Sequence, residues 1–275
     1  MYWIEIKGKV GESLLIQNVV EGAKNKQLRV SPTQIEPDVI YPILRGRDIS
    51  RWYSHPSLHM IVTHPPSTPK KPYEESELRT TFPNTYIYLA QFKESLKKRV
   101  RVRKLAMEWY ALGEIGPYTF APNKVMWGEV SNDIAAAVVS VAHSTHLEQR
   151  VVIPDHTVIT VSFEEPNEAH FVAALLNSAP ARLVVKGYIV LHPSPHVLEH
   201  VGLRKFDEQS QIHRRLSEAG KRAHELAAKI ADDAEDKSAK GELAEVEDQI
   251  DHAAAELWGI TEAELQEIRK ALEIL

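Results

Sequence analysis

Residues 41–52, with the sequence YPILRGRDISRW, hold three arginines within seven positions, beside a glycine, an aspartate and a tryptophan. Arg45, Arg47 and Arg51 carry planar guanidinium groups, which can bind a phosphate or a guanine edge through two parallel hydrogen bonds. The glycine allows the backbone to approach a ligand closely, and Asp48 can orient a neighbouring guanidinium. The segment therefore predicts a DNA-binding turn. The alternative is a surface turn in which one arginine pairs with Asp48 and holds the backbone.

A second basic segment covers residues 93–104, where seven of twelve positions are cations, and Trp109 and Tyr110 follow it. Such a density causes self-repulsion unless an anion compensates it, and a DNA phosphate backbone does so. The alternative is a solvated helix face that Glu94 and Glu108 balance. We assign six of these cations to DNA binding: Lys93, Lys97, Lys98, Arg99, Arg101 and Arg103.

Three further lysines complete the predicted DNA-binding set. Lys70 and Lys71 lie in residues 63–73, THPPSTPKKPY, whose four prolines predict a loop. They can enter a DNA groove or contact the DNA backbone. The alternative is that the loop is a solvent-exposed connection without a role in binding. Lys124 begins a predicted strand. The candidates for reading base edges are Lys70, Lys71, Asn123 and Gln91, which the sequence does not rank.

The sequence contains few signals for catalysis or metal binding. His196-Val-Leu-Glu-His200 matches the H-x-x-E-H pattern of one class of zinc peptidases. That pattern requires a helix, and prolines precede it directly, so we assign no metal ligand. The phosphate-binding loop, the dinucleotide-binding glycine turn and the serine nucleophile elbow do not occur in the sequence. We therefore assign no catalytic residue and expect the chain alone to have no enzymatic activity.

Composition and charge restrict the class of protein. The chain has 275 residues and no cysteine, which is compatible with a reducing compartment. It shows neither a signal peptide nor an apolar run long enough to span a membrane, so we expect a cytoplasmic protein. The net charge of −5 is unevenly distributed. Residues 1–206 hold 24 basic and 20 acidic side chains, residues 41–127 hold 14 and 7, and residues 207–275 hold 9 and 18.

Residues 1–206 predict an α+β domain with interleaved strands and helices. Alternating apolar residues within 2–30 and the β-branched segments 124–127, 134–141 and 157–163 predict strands. Residues 85–105 predict a helix, because Tyr88, Phe92 and Leu96 share one face. Two further helices are expected at 167–177 and 179–186.

Residues 207–275 predict a helical hairpin followed by a short terminal helix. Heptad spacing of apolar residues occurs over 216–230 and again over 243–257, and the charged segment 232–241 separates the two runs. Thr261 and Glu264 have the spacing of a capping box, which predicts the start of the last helix. The hairpin packs on its own domain, or it also docks another domain or subunit.

Seven segments in series resemble the TaqI-like specificity (target-recognition) region at the carboxyl end of adenine-N6 DNA methyltransferases, which also occurs in fused type II restriction–modification enzymes. The resemblance spans roughly 40–275. The segments are YPILRGRDISRW (41–52), FPNTYIYLAQFKESLKKR (82–99), WYAL (109–112), APNKVMW (121–127), FVAALLNS (171–178), KFDEQSQIHRRLSEAGKRAHELA (205–227) and EVEDQIDHAAAELWGITEAELQEI (245–268).

This resemblance implies a module that reads a short duplex sequence and presents it to a methyltransferase catalytic domain, in cis or in trans. S-adenosylmethionine would bind in that catalytic domain, and the chain itself is expected to hold no cofactor. Double-stranded DNA is the implied partner. A different hypothesis is a protein-interaction module, in which the acidic hairpin docks a partner subunit and the basic segments are incidental. A metal-dependent hydrolase is a third.

Overall fold

The structure is a computed structural model of the chain, and it describes residues 1–20, 29–131, 133–188 and 197–274. Its fold is α+β, as the sequence predicts. The strands are β1 (Trp3–Val10), β2 (Ser13–Asn18), β3 (Thr33–Ile35), β4 (Ile40–Leu44), β5 (Ile49–Ser50), β6 (Tyr53–Ser54), β7 (Leu58–Ile61), β8 (Asn123–Gly128), β9 (Ala137–Val139), β10 (Val141–Ala142), β11 (Arg150–Val151), β12 (Ile153–Pro154) and β13 (Val158–Phe163). The helices are α1 (Glu75–Thr81), α2 (Pro83–Ala90), α3 (Lys93–Lys97), α4 (Val100–Lys104), α5 (Pro166–Asn177), α6 (Ala179–Tyr188), α7 (Val197–Val201), α8 (Gln211–Asp232), α9 (Lys237–Trp258) and α10 (Glu262–Ile274).

The chain forms two compact units that interleave along the sequence. The first, which we call the sheet unit, comprises Met1–Ile43, Pro56–Phe120 and Val141–Ile153. The second, the hairpin unit, comprises Leu44–His55, Ala121–Ser140 and Pro154–Leu275. These units do not divide at the expected boundary between residues 206 and 207, because the C-terminal helices share a hydrophobic core with β8 and α5.

The sheet unit is built on a six-stranded sheet with the order β12-β4-β7-β1-β2-β3. Its strands β1, β2, β3, β4 and β7 pair antiparallel. The alternating pattern of β2 buries Leu14 and Ile16, which join Ile4 and Ile35 in one core with the side chains of α1 and α2. The strands predicted within residues 2–30 are confirmed for β1 and β2, and residues 21–28 lie outside the described part of the chain.

The single helix predicted over 85–105 is wrong, because this segment forms the three short helices α2, α3 and α4. Its apolar stripe is nevertheless confirmed, since Tyr88, Phe92 and Leu96 are all buried. Arg99 has an extended backbone, with φ −59° and ψ 131°, and this conformation ends the helical run before α4. The extended conformation accompanies two hydrogen bonds from the Arg99 side chain to a later segment.

The hairpin unit packs the antiparallel sheet β13-β8-β9 against α5, and α5 packs in turn against α8. The strands predicted at 124–127 and 157–163 and the two helices predicted after them are confirmed, while only part of 134–141 forms a strand. Trp127 and Phe171 are fully buried in this core beside Leu216 of α8. Helix α8 approaches α5 closely at Gly220, where a Cβ atom would lie 2.5 Å from the carbonyl oxygen of His170.

Helices α8 and α9 form the predicted antiparallel hairpin. Two ion pairs between the helices show that they are antiparallel. Arg222, near the end of α8, pairs with Glu242 near the start of α9, whereas Arg215, near the start of α8, pairs with Glu256 near the end of α9. The connection is shorter than predicted, since Asp236 caps α9 and leaves residues 233–236 between the helices. At the start of α10 the predicted capping box is confirmed, with both the hydroxyl and the amide of Thr261 donating to the Glu264 carboxylate.

No helix within the described ranges combines the length and the apolarity that crossing a membrane requires.

The contact at Gly220 predicts a large difference between two glycine substitutions. We expect Gly220→Ala to lower the free energy of unfolding by about 1–3 kcal/mol, because the added methyl group forces α8 away from α5. Gly241→Ala is the matched control, because Gly241 also lies in a helix but has nothing within 4 Å of its Cβ position. This control should stabilise the chain by about 0.5–1 kcal/mol. Urea denaturation of both variants tests the pair, and equal effects would contradict the packing role of Gly220.

Candidate nucleic-acid interface

In the segment 41–52, Arg45 serves the turn itself. Its guanidinium pairs with Asp48 through Nε–Oδ2 at 2.8 Å and a terminal nitrogen to Oδ1 at 3.0 Å. The Arg45 amide also donates to the Asp48 carboxylate, and both side chains are nearly buried, with 11% and 9% exposed. The pair closes a 3-10 turn over Gly46–Asp48. The alternative in which one arginine holds the turn therefore applies to Arg45.

The end of the same segment is bound to the helical hairpin within the hairpin unit. Arg51 pairs with Glu247 of α9 at 3.0 Å, and the indole nitrogen of Trp52 donates to the same carboxylate at 2.7 Å. The Trp52 amide donates to the carbonyl oxygen of Ala136. Arg51 is thus engaged in an internal ion pair. Arg47, in contrast, is exposed and has no hydrogen bond or ion pair among the described residues.

In the sheet unit, Arg99 ties the basic segment to the segment 109–112. Its guanidinium donates to the carbonyl oxygens of Trp109 and Ala111, at 2.7 and 2.8 Å, and its Nε donates to that of Leu96. The cation also lies over the ring of Tyr2. All these contacts are internal, so Arg99 positions the basic segment.

The other cations of the basic segment fall into two groups. Three have internal partners: Lys93 lies over the Trp109 ring, Lys97 is 3.8 Å from Glu94, and Arg101 is 2.6 Å from Glu114. The remaining three have exposed side chains that make no hydrogen bond or ion pair with the described residues; they are Lys98, Arg103 and Lys104. Lys104 was not in the predicted set, although its position beside Arg103 was a signal for it.

Buried polar contacts hold the loop 63–73 against the same segment 109–112. Thr63 donates its hydroxyl to the carbonyl oxygen of Tyr110, and the Tyr110 hydroxyl donates to that of Tyr73. His64 is buried, and its Nε2 accepts the amide of Leu112 at 3.0 Å while Nδ1 bonds the carbonyl oxygen of Pro69 at 2.9 Å. His64 thus acts as a neutral imidazole with its proton on Nδ1, and burial lowers its pKa below 6.5.

The loop is the predicted one, and it carries Lys70 and Lys71, whose side chains are exposed and without a partner in the described part of the chain. The loop and the basic segment are therefore both anchored to residues 109–112. We name the exposed, unpartnered cations of these two segments the free basic set: Lys70, Lys71, Lys98, Arg103 and Lys104. Its members meet the requirement for phosphate contacts, which is a charge available at the surface.

Lys124 does not meet that requirement. It is fully buried in β8, its ammonium donates to the carbonyl oxygen of Ala121 at 2.6 Å, and burial lowers its pKa to about 8. We therefore remove it from the DNA-contacting set. Asn123 is also engaged, because its side chain donates to the carbonyl oxygen of Glu164 and accepts the hydroxyl of Ser140. Gln91 is exposed.

Metal binding receives no support from the described residues, in which no three side chains of histidine, aspartate or glutamate cluster as ligands. His196, the first residue of the H-x-x-E-H pattern, lies outside those residues.

The comparisons with known proteins concern the fold. No protein-family model and no curated protein sequence matches the chain. The solved structure of the type IIL restriction–modification enzyme MmeI in complex with DNA is similar to it, with a TM-score of 0.52 and 13% identity. The alignment covers 84% of this chain and 31% of that chain, so the chain spans about a third of the length of its structural neighbour. The chain thus has a fold related to part of a restriction–modification enzyme.

The turn at residues 45–48 predicts unequal stability effects for its two arginines. Arg45→Ala leaves a nearly buried Asp48 carboxylate without its main partner, so we expect a loss of about 1–3 kcal/mol in the free energy of unfolding. Arg47→Ala removes only an exposed side chain, and its effect should stay within about 0.5 kcal/mol. Thermal melting of both variants tests this, and equal losses would mean that Arg47 also holds the turn.

His64 predicts that the loop 63–73 becomes more dynamic in acid. Since its pKa is lowered in the folded state, the open chain takes up the proton first. The contact contributes fully above the ordinary pKa of about 6.5 and weakens as the pH falls below it. Hydrogen exchange at the Leu112 amide should therefore lose protection in acid, after correction for intrinsic exchange. In His64→Ala the Leu112 amide should be poorly protected at all pH values. In His55→Ala, a control at an exposed histidine, that amide should keep the pH-dependent protection of the unmodified chain. Protection that is independent of pH would contradict this role.

Proposed function

We propose that this chain is the sequence-specific double-stranded DNA recognition module of a restriction–modification system. In this proposal the chain reads a duplex and performs no chemistry. An adenine-specific methyltransferase domain, which binds S-adenosylmethionine, acts with it in cis or in trans.

The observation that carries the proposal is the free basic set. The sheet unit pairs many of its cations internally, yet it leaves five at the surface on two segments that are anchored to residues 109–112. Unpaired positive charges at this density repel one another, and a polyanion compensates them. Lysine and arginine on rigidly held segments are the residues that fix the register of a protein on DNA.

The fold likeness supports the same proposal. MmeI is a restriction–modification enzyme whose structure was solved with DNA, and about a third of its chain aligns with this one. The seven segments that resemble the TaqI-like specificity region add the finer assignment, including the methyltransferase partner.

The free basic set predicts a salt-dependent loss of DNA binding. Lys98→Ala combined with Arg103→Ala should weaken binding to every duplex and should lower the slope of log affinity against log salt by about one unit per lost phosphate contact. Fluorescence anisotropy with a labelled duplex at several salt concentrations measures both quantities. Lys124→Met is the matched control, because it also removes a lysine charge, and it should leave affinity and slope unchanged. Duplex binding that is insensitive to salt and to the double substitution would contradict the proposal.

A further inference from the structure

The backbone on both sides of Arg47 is held in place by its own unit. On one side, Gly46 packs so closely that a Cβ atom would lie 2.7 Å from the carbonyl oxygen of Thr157. Its amide donates to the hydroxyl oxygen of Thr157 at 2.8 Å. On the other side, Asp48 is locked by Arg45 through two hydrogen bonds.

The support under this turn is itself fixed. The hydroxyl and the amide of Thr157 both donate to Oδ1 of Asp155, at 2.6 and 2.7 Å, and the Asp155 side chain is only 3% exposed. The Asp155 amide donates to the carbonyl oxygen of Leu44, directly before the turn. A buried carboxylate, a threonine and a glycine therefore determine where residue 47 lies.

Arg47 itself uses none of this support. Its side chain is exposed, and it makes no hydrogen bond or ion pair with any residue that the structure describes, while Arg45 and Arg51 are both paired. An arginine with a rigid backbone and an open guanidinium matches the requirement for a preorganised contact, in which little ordering entropy is lost on binding. An ion pair within the hairpin unit therefore does not account for the arginine at position 47.

We propose that Arg47 is a preorganised DNA contact, whose guanidinium binds a pair of acceptor atoms on the duplex. Rigid backbone on both sides and an unpartnered fork between them carry this assignment. The pair of acceptors is either two oxygens of one phosphate or N7 and O6 of one guanine, since both match the planar fork. The inference rests on the proposed function and assigns within it a residue that the free basic set does not include.

The experiment compares Arg47→Ala, Arg47→Lys and a charge-matched control, Arg204→Ala. Arg204 is an exposed arginine of the hairpin unit that likewise has no partner among the described residues. Two probes are used with the full chain. The first is a labelled duplex of arbitrary sequence, titrated at several salt concentrations. The second is a duplex pool with a randomised central segment, from which each variant enriches its preferred sequence. Thermal melting confirms that each variant is folded.

Either of two results supports the proposal and identifies the source of the acceptors. For a phosphate, Arg47→Ala weakens binding to all duplexes and lowers the salt slope by about one unit, Arg47→Lys retains most of the affinity, and the enriched sequence is unchanged. For a guanine, Arg47→Ala loses one guanine preference in the enriched sequence, at a cost of roughly 5- to 150-fold on that sequence. In that case Arg47→Lys does not fully restore the preference, because its point charge lacks the fork.

Unchanged affinity, salt slope and enriched sequence in Arg47→Ala would overturn the inference, and so would an equal effect of Arg204→Ala. The proposed function would survive that result if the Lys98 and Arg103 substitutions still weakened binding. Failure of the unmodified chain to bind any duplex would overturn the proposed function itself, and this inference with it.

Discussion

The burial of Trp52 is the interaction on which the hairpin unit depends. Trp52 is 2% exposed and adopts a left-handed backbone with φ 68°, a conformation that costs a bulky residue free energy. Its amide bonds Ala136, its indole bonds Glu247, and its ring meets the edge of His224. One residue thus connects its own loop with the segment before β9 and with both helices of the hairpin.

His224 extends this arrangement into the sheet of the hairpin unit. Its Nε2 accepts the amide of Val138 in β9, and its Nδ1 bonds the carbonyl oxygen of Gly220 in α8. Burial lowers the pKa of His224 to about 4, so the ring stays neutral near pH 7 and keeps Nε2 as an acceptor. Because sheet, loop and helices share these contacts, the hairpin packs with them in one compact unit.

In the sheet unit, too, a few buried polar contacts hold separate segments together. Arg99 and His64 each bind backbone atoms of residues 109–112, and each comes from a segment that carries exposed cations. Internal pairing therefore divides the basic residues into those that position the segments and those that remain at the surface. Charge density along the sequence does not predict which basic residues belong to which group. Arg99 and Arg103 are both arginines of the same segment, yet Arg99 is partly buried and Arg103 is exposed.

The sequence by itself determined the α+β class, the strands β1, β2, β8 and β13, the helical hairpin and the proline-rich loop, because period-2 and heptad patterns and proline chemistry act locally. It also indicated the two basic segments. Only the tertiary structure decided which cations stay exposed, because partners such as Glu247 for Arg51 lie far away in the chain. Lys124 is a second example. Nothing in the sequence around this lysine indicates that it is buried, and only the packing of the folded chain encloses it. The unit boundaries likewise follow from packing between segments that are distant in sequence.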